Sequence, residues 1–139
     1  MIHIMEKKFL VSFLLAISVL LLAVNVSAAP LATITNVEVD GVNVSSNPAI
    51  VVGDTVTIRD DFNALVNVSD ITVEAEIEGD RESVQAETSS FDIETGRTYS
   101  KSLKLEIPFD LKNALSGPVT LNLDISGSGF KTEATYTLR

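Results

Sequence analysis

Apolar and polar side chains alternate with a period of two along five stretches of this chain, and the chain contains neither Trp nor Cys. Turn-forming residues separate those stretches at intervals of about 8–12 residues. A two-residue period puts every second side chain on one face of a strand. Together these features predict an all-β fold: an immunoglobulin-like antiparallel β-sandwich of about seven strands over residues 29–139, preceded by an N-terminal signal helix over residues 1–28. A closed barrel or jelly roll is the alternative architecture. Without a Trp or a Cys pair, an antibody-type domain is excluded.

The leader comes first. Lys7 and Lys8 precede the apolar stretch from Phe9 to Val24, and Val26-Ser27-Ala28 offers a small-residue cleavage site. At 16 residues the stretch is short for a membrane span, which needs roughly 20. An uncleaved anchor is the alternative, and membrane contact is expected only through this segment. The expected location is therefore extracellular or in the cell envelope.

An opening strand is expected over about 33–39, and Asp40-Gly41 turns it into Val42-Asn43-Val44. Val56 and Ile58 alternate with Thr55, Thr57 and Arg59 in the next strand. Ile71, Val73, Ala75 and Ile77 then alternate with Thr72, Glu74, Glu76 and Glu78. A weaker strand is expected over 84–88. Leu103, Leu105 and Ile107 begin the next group, followed by Val119, Leu121, Leu123 and Ile125, and finally Ala134, Tyr136 and Leu138. Breaks fall at Asn47-Pro48, Gly53-Asp54, Glu78-Gly79-Asp80, Thr95-Gly96, Ser116-Gly117-Pro118 and Gly127-Ser128-Gly129. Only residues 110–115 suit a helical turn, with Asp110 as its cap. The last strand reaches Arg139 directly after its final apolar residue, a pattern compatible with continuation into further domains.

Composition narrows the chemistry. Removing 28 of the 139 residues leaves 111, enough for one domain with a working core. That remainder has 18 acidic and 8 basic residues, a net charge of −10. Such a surface repels nucleic acid and anionic headgroups. The one histidine, His3, lies in the leader, so the exported part lacks His and Cys alike. Ser-His-Asp and Cys-His catalysis are thereby excluded, and structural zinc nearly so. Gly127-Ser128-Gly129 joins two strands and lacks the helix that phosphate capture uses. Glu74, Glu76 and Glu78 alternate outward as a solvated face, not as a glycosidase pair in a cleft.

Asp60 breaks the pattern. It shares parity with Val56, Ile58 and Phe62, which should face the core. The expectation is that the strand bulges or leaves the sheet at Arg59-Asp60-Asp61. A sharper alternative makes Asp60 and Asp61 ligands of a calcium ion near the sheet edge. Asp54, Asp70, Asp80 and Asp110 are further oxygen donors, but none forms the spaced loop that calcium sites favour. Asn43-Val44-Ser45 and Asn67-Val68-Ser69 are glycosylation sequons, making Asn43 and Asn67 candidate modification sites. No cofactor is expected.

The run Gly53-Asp54-Thr55-Val56-Thr57-Ile58, followed by Asn67-Val68-Ser69-Asp70-Ile71-Thr72-Val73-Glu74-Ala75-Glu76-Ile77, resembles a CARDB-type domain. This immunoglobulin-like family occurs in exported bacterial and archaeal proteins, including surface-layer-associated ones. Asp60 departs from the pattern, where an apolar residue is usual. The resemblance implies a spacer, adhesive or envelope role without catalytic residues, with neighbouring envelope proteins or glycans as partners. The expected function is a non-enzymatic cell-surface or envelope module. The alternatives are a secreted calcium- or carbohydrate-binding module and an accessory domain of a larger secreted enzyme.

Overall fold

The computed structural model describes residues 28–111 and 117–139. The leader at 1–28 lies outside them apart from Ala28, as does most of the helical turn expected over 110–115. Nine strands follow in chain order: β1 (Ala32–Val39), β2 (Val42–Asn43), β3 (Thr55–Ala64), β4 (Val68–Glu78), β5 (Ser83–Glu87), β6 (Phe91–Ile93), β7 (Thr98–Glu106), β8 (Val119–Gly127) and β9 (Phe130–Leu138). They form two antiparallel sheets, ordered β2-β1-β3-β7 and β5-β4-β8-β9, with β6 pairing beside β5 on β4. The result is an all-β, sandwich-like fold. Among the described residues no helix is long and apolar enough to cross a membrane.

Alternation sorts the side chains between core and solvent. Ile71, Val73, Ala75 and Ile77 are all fully buried, whereas Thr72, Glu74 and Glu76 between them are only partly covered. Each fully buried Val or Ile contributes roughly 1.5–3 kcal/mol. Leu121, Leu123 and Ile125 of β8 do the same beside them. Val37, Val39, Val56, Ile58, Phe62, Leu103 and Leu105 close on this layer from the other sheet in one continuous core.

The turns follow their chemistry. Asp40 and Gly41 both take positive φ, 49° and 81°, which gives the type I′ geometry that a two-residue hairpin requires. The Asp40 carboxylate accepts from the Thr57 amide at 2.8 Å, and the Asp40 amide donates to the Thr57 carbonyl at 2.9 Å, tying this turn to β3. Gly127 is needed for close approach. A Cβ there would stand 2.6 Å from the Asp70 carbonyl oxygen and 2.9 Å from the Ile71 Cα.

One expectation is corrected, and one strand was not foreseen. β3 neither bulges nor leaves the sheet at Arg59-Asp60-Asp61; it pairs with β7 without interruption from Thr55↔Glu106 to Asn63↔Thr98. The irregularity falls on the neighbouring strand, where the β1–β3 register shifts between Ile34 and Asn36. Thr35 is the extra residue, and its hydroxyl donates to the Asp61 carbonyl at 3.1 Å. Strand β6 was not expected at all, because three residues are too few to display a period.

The two ends of the described fold lie at opposite poles. Ala29 forms a parallel bridge with Phe130, where β9 begins, and its carbonyl accepts from the Lys131 amide at 3.0 Å. Arg139, just past the end of β9, donates its amide to the Pro48 carbonyl at 3.1 Å and accepts from the Ile50 amide at 2.8 Å. At about 3.3 Å per residue, β9 sets these points roughly 30 Å apart.

Candidate functional site around Asp60

Because β3 stays regular, its parity carries Asp60 inward. The inner face of the β3–β7 pair reads Val56↔Leu105, Ile58↔Leu103, Asp60↔Lys101 and Phe62↔Tyr99. On the other side of Asp60 stands Val37 of β1. The Asp60 side chain is 1% exposed, and neither carboxylate oxygen has a hydrogen-bond partner among the described residues. Burial, reinforced by the negative charge of Asp61, pushes its pKa up to about 7. A carboxyl removed from water without a partner is far easier to hold neutral than charged.

Lys101 reaches the same layer from the edge strand. It is half-buried, and its ammonium sits 3.9 Å above the centroid of the Phe91 ring. Phe91 belongs to β6 in the opposing sheet, so this lysine crosses the gap between the layers. Phe62 and Tyr99 stack with centroids 5.6 Å apart, and Phe91 packs tilted against both at 6.3 and 6.2 Å. The Tyr99 hydroxyl accepts from the Glu94 amide at 2.8 Å. From β9, Tyr136 comes near enough to Asp60 that burial and then the Asp60 charge raise its pKa. Both tyrosines share the inward parity expected of them and offer no exposed stacking platform.

Asp61 lies on the opposite, outer face. It accepts from Arg59 Nη2 at 3.1 Å and Nε at 3.2 Å, and from Asn36 Nδ2 at 3.2 Å. Hydrogen bonds from Ser100, Asn36 and Arg59, with the Arg59 charge, hold its carboxyl below the usual range. Asp60 and Asp61 therefore diverge across the sheet and do not converge on one cation. Asp54, Asp70, Asp80 and Asp110 are all exposed. No group of three or more acidic, His or Cys side chains could hold a metal ion among the described residues.

The outer face of the second sheet is acidic. Register aligns Glu87, Glu74, Asp124 and Glu133 in one row across four strands. Lys131 bridges two of them, at 3.1 Å to Asp124 and 2.7 Å to Glu133. A shallow polar groove runs along this row, lined by Glu74, Glu76, Asn122, Asp124, Glu133 and Thr135.

Both sequon asparagines are exposed. The Asn43 amide nitrogen donates to Asn36 Oδ1 at 2.6 Å, while its oxygen caps the following turn by accepting from the Ser45 amide at 2.8 Å. Among the described residues Asn67 uses only its oxygen, which accepts from the Thr95 amide at 2.8 Å.

Sequence reasoning found Asp60 but missed Lys101. The signal was available: Lys101 has the parity of Leu103, Leu105 and Tyr99. A charged residue interrupting an apolar series reads as the end of a strand, so the facing pair escaped notice. In comparisons with known proteins, no family model matches the chain and no curated protein is significantly similar to it.

Proposed function

We propose that this chain is a non-enzymatic, exported immunoglobulin-like module of the CARDB type, serving as a rigid spacer in a cell-surface or envelope assembly. The observation that carries this reading is the antiparallel two-sheet frame, whose strand β9 spans the fold from pole to pole. Residue 29 is bound beside Phe130 at one pole, and residue 139 beside Pro48 and Ile50 at the other. A pull between residues 29 and 139 then runs parallel to β1 and β9, and loads their ladders along the strands. Antiparallel ladders resist such shear collectively, since their hydrogen bonds lie across the pulling direction.

Other features fit the same work. The outer faces carry acids and their ion pairs, which keep an exposed module soluble and offer polar contact to neighbouring proteins or glycans. A core without disulfides holds the sheets together by packing. Both tyrosines pack against the core, and Phe109 is the one strongly exposed aromatic ring among the described residues, too little for a sugar-stacking platform, which favours the spacer over a carbohydrate-binding module.

Fractionation of the native host, with intact-mass measurement, tests the reading. Recovery from the envelope or medium, with the chain beginning at Ala29, is the expected result. Recovery from the cytosol with residues 1–28 intact overturns it.

A further inference from the structure

One inner-face pair is not accounted for by packing. Asp60 and Lys101 are direct register partners on adjacent strands, sharing a face with Ile58↔Leu103 on one side and Phe62↔Tyr99 on the other. An apolar pair would fill this layer without any electrostatic penalty. Instead the acid is 1% exposed with both oxygens unpartnered, and the base extends over an aromatic ring.

We propose that Asp60 and Lys101 condense into an intramolecular amide that joins β3 to β7. The reach is adequate. Side chains directly opposite in an antiparallel pair have Cβ atoms about 4.5–5.5 Å apart. The four-methylene stem of lysine exceeds that gap and meets the carboxyl carbon by rotation about its own bonds, leaving the Phe91 ring.

The surroundings supply what condensation needs. In water an ammonium and a carboxylate form a salt and stay one. Inside this layer burial favours the neutral Asp60 carboxyl, and the reacting amine forms when the Lys101 ammonium passes one proton to solvent. The amine nitrogen attacks Asp60 Cγ and forms the new C–N bond. A carboxyl oxygen then departs as water, carrying the acid proton and one proton from nitrogen. No oxidant, reductant or co-reactant is required. The fixed register replaces a bimolecular encounter with an intramolecular one, raising the effective concentration of amine by orders of magnitude. The apolar walls of Ile58, Leu103, Phe62 and Val37 shield the product from hydrolysis.

This inference does not depend on the spacer reading and fails separately from it. The test is the intact mass of the full chain made in a host without N-glycosylation, incubated near pH 7 and measured after unfolding. The expected mass is lower than the sequence mass by one water, taken from whichever residue the chain begins at. Trypsin should then release a branched peptide joining residues 60–81 to residues 98–104. Lys101→Met keeps the apolar stem but removes the nucleophile, and Asp60→Val removes the electrophile; each should show the full sequence mass. A wild-type chain that is folded by circular dichroism yet retains the full sequence mass after prolonged incubation overturns the proposal. So does a missing water that maps to any other pair of residues.

Discussion

Consider the chain carrying Lys101→Met, in which Asp60 must remain a free carboxyl. Its folded-state pKa lies near 7 because burial and the Asp61 charge oppose ionisation, against an ordinary value of 3.8. Between those values the folded state holds a proton that the unfolded chain has released. Stability from this group is therefore fully present below about pH 3.8 and is lost as pH rises to about 7. The gap of about three units at 1.36 kcal/mol each gives a loss of about 4 kcal/mol. Other carboxylates titrate over the same range, so the informative quantity is a difference. The reference is Lys101→Met combined with Asp60→Val, which keeps those groups and deletes this one. Urea unfolding of both variants at several pH values from 4 to 8.5 should show the single variant losing about 4 kcal/mol against the double. At a slope of roughly 1.5 kcal/mol/M for a domain of this size, the midpoints diverge by nearly 3 M. A difference that stays flat across that range refutes the claim that Asp60 is buried and unpartnered.

Gly79→Ala should destabilise the fold by roughly 1–3 kcal/mol, because a Cβ there overlaps the Leu111 carbonyl oxygen and backbone must move; thermal melting checks it. Millimolar calcium should leave the melting temperature unchanged, since Asp60 and Asp61 face opposite sides of β3; a specific ligand of the folded state would raise it. In a host that N-glycosylates exported proteins, glycopeptide mapping should find Asn67 more fully occupied than Asn43. Among the described residues a glycan on the Asn67 nitrogen displaces no hydrogen bond, whereas one on Asn43 displaces the 2.6 Å contact to Asn36.

How much of this was legible in the sequence depends on which interaction set each feature. Strands β4 and β8 were plain because each buries one face and solvates the other, so Ile71 to Ile77 and Val119 to Ile125 carry a full period. The Asp40-Gly41 hairpin was plain because its backbone needs two left-handed residues and the sequence supplies them. Strand β6 was invisible because Phe91–Ile93 is defined by its partner β4 and by the ring it offers to Phe62, Tyr99 and Lys101. The position of the bulge was misjudged for a related reason. A charged residue of inward parity suggests that its own strand yields, yet here β1 absorbs the irregularity at Thr35 and Asp60 stays in register. Local pattern reports what one strand prefers; which of two paired strands deforms is decided between them.

The absence of cysteine from the chain sharpens the meaning of the Asp60–Lys101 pair. A disulfide stabilises chiefly by constraining the unfolded chain, and an amide between residues 60 and 101 does the same for the 40 residues between them, worth about 4 kcal/mol by loop entropy. That bond also abolishes the ionisable carboxyl, so the pH penalty of about 4 kcal/mol in the open chain disappears with it. Mechanical extension separates the cross-linked chain from the open one. Unfolding between residues 29 and 139 releases a contour of about 3.5 Å per residue, and an intact bond at 60–101 withholds roughly 140 Å of it. Ala29→Cys and Arg139→Cys supply handles in a chain with no other thiol. Wild type on this background should show the shortened extension, and the added Lys101→Met change should restore the full length. Moving the second handle to Ser128→Cys, beside the start of β9, places both at one pole and should lower the rupture force, since ladders there open bond by bond. Equal forces for the two pulling geometries would count against shear resistance as the work of this fold. Full-length extension of wild type would remove the cross-link while leaving the spacer intact.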